Sequence, residues 1–178
     1  MPTPTDLECF VRWFAVPVET LKTLPNGDAA FVALSVGFLL CERYYRITTT
    51  SQEEVPVDKS RNRAAEEMNV NKKFFSIFWS TYRNGLMHQG TPKIYECDGI
   101  KYKWMIDAEF EAYPTYYDRD GFRFICLNPW KFTDFMISKF LNNPQHLNGS
   151  LIYELGHIFD AKLVGKPIQV PLNAAYPD

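Results

Sequence analysis

The sequence predicts a mainly α protein, an antiparallel helical bundle with a β-hairpin insertion and C-terminal helices, and three observations carry that expectation. Ala29 to Cys41 is an apolar run with no polar face, too short to span a bilayer and suited to the centre of a bundle. Lys72 to Gly90 places Phe74, Phe75, Phe78, Trp79, Tyr82 and Leu86 at three- and four-residue spacings, the stripe of a helix packed into a core. Beyond Pro92 the pattern shortens into β-rich runs divided by turn residues such as Asp98-Gly99. At 178 residues, one domain is expected: a helical core over 1–92, hairpins over 93–128, and C-terminal helices with a tail over 129–178.

The elements follow in order. Thr5 or Asp6 can cap a first helix reaching about Leu24, which Pro17 should kink or divide. Pro25-Asn26-Gly27-Asp28 reads as a turn, with Asp28 as N-cap of a second helix from Ala29 to about Arg46. Thr48 to Pro56 reads as a loop, and Asp58 to Met68 as a short, charged, solvated helix. Asn69 or Asn71 then caps the aromatic helix, which Gly90 and Pro92 stop. Four helices joined by short turns suggest the bundle.

Lys93 to Cys97 and Ile100 to Ile106 form a first predicted hairpin. A second has strands near Ala112 to Tyr117 and Phe122 to Leu127 around Asp118-Arg119-Asp120-Gly121. Asn128-Pro129 opens a helix from Trp130 to Leu141, Asn142 to Ser150 is a loop, and Leu151 to Lys162 forms one more helix before an extended tail from Gly165.

Composition narrows the functional classes. A net charge of −2 argues against a large sequence-independent nucleic-acid footprint but leaves room for a local basic pocket. Cys9, Cys41, Cys97 and Cys126 are scattered, with no C-x-x-C pair, and read as reduced, mostly buried thiols. The N-terminus lacks a basic segment followed by an apolar one, so no signal peptide is expected, no membrane partner is expected, and the location expected is cytoplasmic.

The chemistry concentrates in Arg83 to His88. Asn84 and His88 stand four apart and share a helix face, and the long Arg83 side chain can swing towards them. Gly85 is out of place in a helix interior, where it costs about 1 kcal/mol against alanine. A close approach by a second backbone or a ligand would explain it. His88 lies in the last turn, where the helix dipole favours the imidazolium.

The run YRNGLMHQGTPK resembles the R-x4-H signature of the HEPN superfamily, with the Asn that often follows its Arg. The resemblance implies a HEPN-like domain, of a kind found among bacterial ribonucleases in toxin–antitoxin and phage-defence systems. It also implies a metal-independent endoribonuclease with no cofactor, acting on single-stranded RNA. Arg83, His88 and the supporting Asn84 would be its catalytic residues, with Gln89, Lys93 and Tyr82 as substrate contacts. Two copies would meet through the Arg83–His88 helix as a homodimer, and a cognate antitoxin is an implied partner. The Tyr found two residues after the His in one subset is here Gly90, so regulation through that tyrosine is not expected.

The alternative reading is a non-catalytic HEPN-like module that binds RNA, nucleotide or a protein through the same cleft. More simply still, an Arg and a His at a helix end can serve only as caps. Elsewhere, His146 and His157 read as surface or helix-end histidines, and Glu42 as an ion-pair partner of Arg46 or a polar group facing the signature. Tyr113, Tyr116 and Tyr117 read as hairpin packing or base-stacking residues.

Overall fold

The computed structural model describes residues 5–49 and 57–147. Helix α1 (Asp6–Phe10) is started by Thr5, whose hydroxyl accepts the Glu8 N–H while Glu8 reaches back to the Thr5 N–H. A π-helical segment, Val11–Ala15, joins it to α2 (Val16–Leu21). Pro17 explains that segment: it offers no N–H, and its ring crowds the carbonyl four residues back, so the turn before it widens. The Pro25–Gly27 turn follows, with Asn26 and Gly27 at φ 58° and 71°.

Helix α3 (Ala30–Thr49) is the central element, and Ala29, not Asp28, accepts its first bond, from the Ala33 N–H. Helix α4 is Val57–Glu67, after which Asn69 takes φ 53°. Asn71 then caps α5 (Lys72–Thr81) by accepting the Phe74 N–H at 2.7 Å. The two asparagines divide the work, one at the turn that ends a helix and one starting the next. Helix α6 (Arg83–Gln89) follows after a break at Tyr82 and ends at Gly90, φ 74°, as a left-handed cap.

The strands correct the mainly α expectation: the fold is mixed α/β. The hairpins β1 (Tyr95–Cys97) with β2 (Ile100–Ile106) and β3 (Thr115–Arg119) with β4 (Phe122–Leu127) are both present. They are not an insertion on a bundle, because β2 and β4 pair in parallel and fuse them into one four-stranded sheet of order β1-β2-β4-β3. Alternation along a strand identifies each hairpin, but parallel pairing between hairpins leaves no local signature.

One sheet face, with Tyr102, Ile125 and Leu127 buried on it, joins the helices in a single core. Helix α7 (Pro129–Asn142) is capped by Asn128, which accepts the Trp130 and Lys131 N–H groups at 2.9 Å. It packs on α3 at Gly37, where a Cβ would lie 2.8 Å from Thr133 Oγ1 and 2.9 Å from Phe132. Thr133 also hydrogen-bonds the Ala33 carbonyl at 2.8 Å. The expected helix Leu151 to Lys162, the tail, His157 and most of the Thr48–Pro56 loop lie outside the described residues. No described helix is long and apolar enough to cross a membrane.

Candidate functional site

The signature lies on the short helix α6, which the chain enters through the break at Tyr82. The Thr81 carbonyl accepts the Lys93 N–H at 2.8 Å, so the chain beyond Gly90 folds back along α6. Gly85 makes room for that return. A Cβ there would stand 2.6 Å from Lys93 N, 2.7 Å from the Thr91 carbonyl oxygen and 2.8 Å from Pro92 Cα. Of the two explanations for this glycine, a second backbone is the one found.

Tyr82 is fully buried, and its hydroxyl lies 2.8 Å from both the Met105 and Ile125 carbonyls. Its single proton serves one of them at a time, and its oxygen accepts the Met105 N–H at 3.3 Å. Burial holds its phenol pKa far above the ordinary tyrosine value. Tyr82 therefore ties α5 to the β2–β4 seam and is not at a surface where substrate could meet it.

Arg83 begins α6, its guanidinium held from three directions. Nη2 donates to Glu42 Oε2 at 2.8 Å, Nη1 reaches Asn84 Oδ1 at 3.4 Å, and Cζ stands 5.9 Å from the Trp79 ring centre. The Arg83 and Glu42 side chains are 27% and 29% exposed, so the pair is partly shielded. Glu42 also lies 3.8 Å from Arg46, so both readings of Glu42 hold, with Arg83 the nearer partner. Glu42, the one acid of α3 and the point where its long apolar run gives way to charge, was the sequence signal for it.

Asn84 thus supports Arg83, whereas the shared face with His88 yields no bond between the two among the described residues. His88 and Gln89 are exposed in the last turn of α6. Lys93 is half-buried and contributes its main-chain N–H to the Thr81 contact. The structure brings Arg83 and Asn84 together, leaves His88 and Gln89 beyond them on the exposed end, and removes Tyr82 to the core.

The remaining candidates pack. Tyr113 meets Phe135 edge-on, Tyr117 stacks on Phe124 with 5.4 Å between centroids, and Tyr116 lies against Phe74 and under Arg123. His146 sets its ring edge against Tyr44. Cys9, Cys41 and Cys126 are buried free thiols, and Cys97 is half-buried and free. Among the described residues no three His, Cys, Asp or Glu side chains gather as a metal site would require. Sequence reasoning missed Trp79 and Arg61 as neighbours of the signature: Arg61 also stands over the Trp79 ring, at 5.5 Å. Trp79 read as core, which it is, yet its ring carries two guanidinium groups.

Comparison with family models, with curated proteins and with solved structures returns no match to this chain.

Proposed function

We propose that the protein is a metal-independent endoribonuclease that cuts single-stranded RNA with Arg83 and His88. The observation that carries this reading is Arg83 itself, a guanidinium held in place by Glu42, Trp79 and Asn84 on a helix that ends in an exposed imidazole. Cleavage of this kind needs the ribose 2′-OH to lose its proton and attack phosphorus. The bond to the 5′ oxygen breaks, and that oxygen gains a proton. His88 supplies one of these proton transfers, the protonated ring serving as the acid. Arg83 donates paired N–H groups to the charge that builds on the phosphorane oxygens. The products carry 2′,3′-cyclic phosphate and 5′-OH ends.

A homodimer belongs to the same proposal. Met87, between Arg83 and His88, is 41% exposed, and an apolar side chain at that point suits contact with a second α6. Two copies of Arg83 and His88 would then line one cleft. A cytoplasmic setting and a cognate antitoxin complete this reading; four free thiols suit a reducing compartment.

A second reading has its own support. Arg83 is already paired with Glu42, and His88 has no orienting partner among the described residues, which favours RNA binding without cleavage. The test is incubation of labelled single-stranded RNA with the full chain in EDTA, beside Arg83→Ala and His88→Ala. The nuclease reading expects cleavage in EDTA that both substitutions abolish, with cyclic phosphate ends. RNA retained intact but bound supports the second reading, and cleavage indifferent to both substitutions overturns the assignment of the site.

A further inference from the structure

Three helices meet at a cavity beside the Arg83–Glu42 pair. Glu42, Tyr45 and Arg46 of α3, Arg61 of α4 and Trp79 of α5 form most of its wall. Its volume, about 10 Å³, is room for one oxygen-sized atom. Two properties of that wall point the same way.

The first is charge. In a chain whose net charge is −2, Arg46 and Arg83 contact one carboxylate, Glu42, and Arg61 stands on the same cavity wall over the Trp79 ring. Arg83 holds that carboxylate at 2.8 Å, and Arg46 touches it only at 3.8 Å. Arg61 pairs with no carboxylate among the described residues. Burial raises the pKa of the Cys41 thiol and of the Tyr45 phenol, so both stay neutral and the wall gains no further negative charge from them.

The second is unmet hydrogen bonding. Tyr45 and Trp79 are 1% and 3% exposed, yet Tyr45 Oη and Trp79 Nε1 have no hydrogen-bond partner among the described residues, and neither has Arg61 Nε. The indole and guanidinium nitrogens can only donate, and the phenol donates readily. Buried donors are rarely left without an acceptor. Orphaned donors on residues that share one cavity wall indicate an acceptor that enters from outside.

We propose that this cavity is a phosphate-recognition site. One phosphoryl oxygen enters beside Tyr45 and Trp79, and the rest of the group lies at the mouth against the Arg46 and Arg61 guanidiniums. Arginine suits this role because its planar fork meets two phosphoryl oxygens through parallel N–H groups. Arg46 can turn to the ligand because its contact with Glu42 is long, whereas Arg83 keeps Glu42 neutralised. The phosphate is either free or belongs to a nucleic acid, and the site does not require His88 to be catalytic.

The test is isothermal titration of the full chain with inorganic phosphate, and with one RNA oligomer carrying either a 5′-phosphate or a 5′-hydroxyl. Phosphate is expected to bind with one site per chain. Arg61→Gln and Arg46→Gln should each weaken it at least about tenfold, because each removes a charge-assisted bond. Unchanged melting temperatures confirm that these variants fold. His88→Ala should bind phosphate like the parent protein even if it loses cleavage, which separates this site from the nuclease reading. Tighter binding of the 5′-phosphorylated oligomer identifies an RNA end as the source, and equal binding of the two oligomers with phosphate binding retained identifies free phosphate; both outcomes support the site. No binding of phosphate, or binding unaffected by both arginine substitutions, overturns it and leaves a cavity filled by water.

Discussion

Helices α5 and α6 are neighbours in one chain segment, yet they are built for different ends. In α5, Phe74, Phe75, Ile77, Phe78 and Trp79 are buried, and Phe78 meets Phe38, Phe75, Tyr82 and Phe132 ring to ring. In α6 only Gly85 and Leu86 are buried, and Met87, His88 and Gln89 face outward. The difference teaches where each helix obtains its position. Helix α5 is fixed by its own apolar face, whereas α6 is fixed by what surrounds it: the Thr81–Lys93 bond, the return of the chain over Gly85, and the Arg83–Glu42 pair. A residue in α5 therefore answers for stability, and an exposed residue in α6 is free to answer for function.

The largest effect should come from the first helix. Phe78→Ala empties a fully buried aromatic site and should lower unfolding free energy by about 3–5 kcal/mol, read from urea denaturation. A loss below about 1 kcal/mol would mean the aromatic cluster is not the core that holds α5. Gly85→Ala comes next. The alanine gains about 1 kcal/mol of helix propensity, but its methyl meets main-chain atoms at 2.6–2.8 Å that cannot swing aside. A net destabilisation of about 1–3 kcal/mol is expected, and a stabilised variant would disprove the close approach.

Tyr82 joins the two helices and should behave like α5. Tyr82→Phe leaves two carbonyls and the Met105 N–H short of a partner, at about 1–2 kcal/mol. Because burial raises the folded-state pKa, its contribution is fully present below the unfolded pKa near about 10 and is lost as pH rises above it. Urea midpoints at pH 9 and pH 11 should therefore diverge less in Tyr82→Phe than in the parent. Glu42→Gln should show the smallest change in stability, at most about 1 kcal/mol, since the pair is partly solvated. The same substitution should tighten RNA binding in a filter assay, because Arg83 is released and a negative charge is gone; weaker binding would show that Arg83 needs Glu42 to hold it.

The same comparison explains what the amino-acid sequence disclosed. The α5 stripe, the Asn71 cap, the helix start at Asn128, the Gly90 stop and the existence of both hairpins are local patterns that the spacing placed. Their bounds differ in places: β1 starts at Tyr95 and not Lys93, β3 is Thr115–Arg119 and not Ala112 to Tyr117, and the aromatic helix breaks at Tyr82. The fusion of the hairpins by parallel β2–β4 pairing was not legible, because the two strands are separated by the whole of β3 and nothing in either run encodes its partner. The mainly α expectation failed for that reason. At the site, Arg83, Asn84 and His88 were visible as a motif, but the burial of Tyr82 was hidden because an aromatic beside a polar cluster reads equally as core or contact. The arrangement of Arg61, Trp79 and Glu42 depends on three helices meeting, which no spacing within one helix records.

The most direct measurement pairs two readouts on His88→Ala: the melting temperature and the rate of RNA cleavage in EDTA. The parent protein should cleave, and the variant should melt at the same temperature while losing cleavage, as an exposed functional residue on α6 requires. Cleavage that survives the substitution, or that disappears together with the fold, would contradict the division between the two helices and the role given to His88.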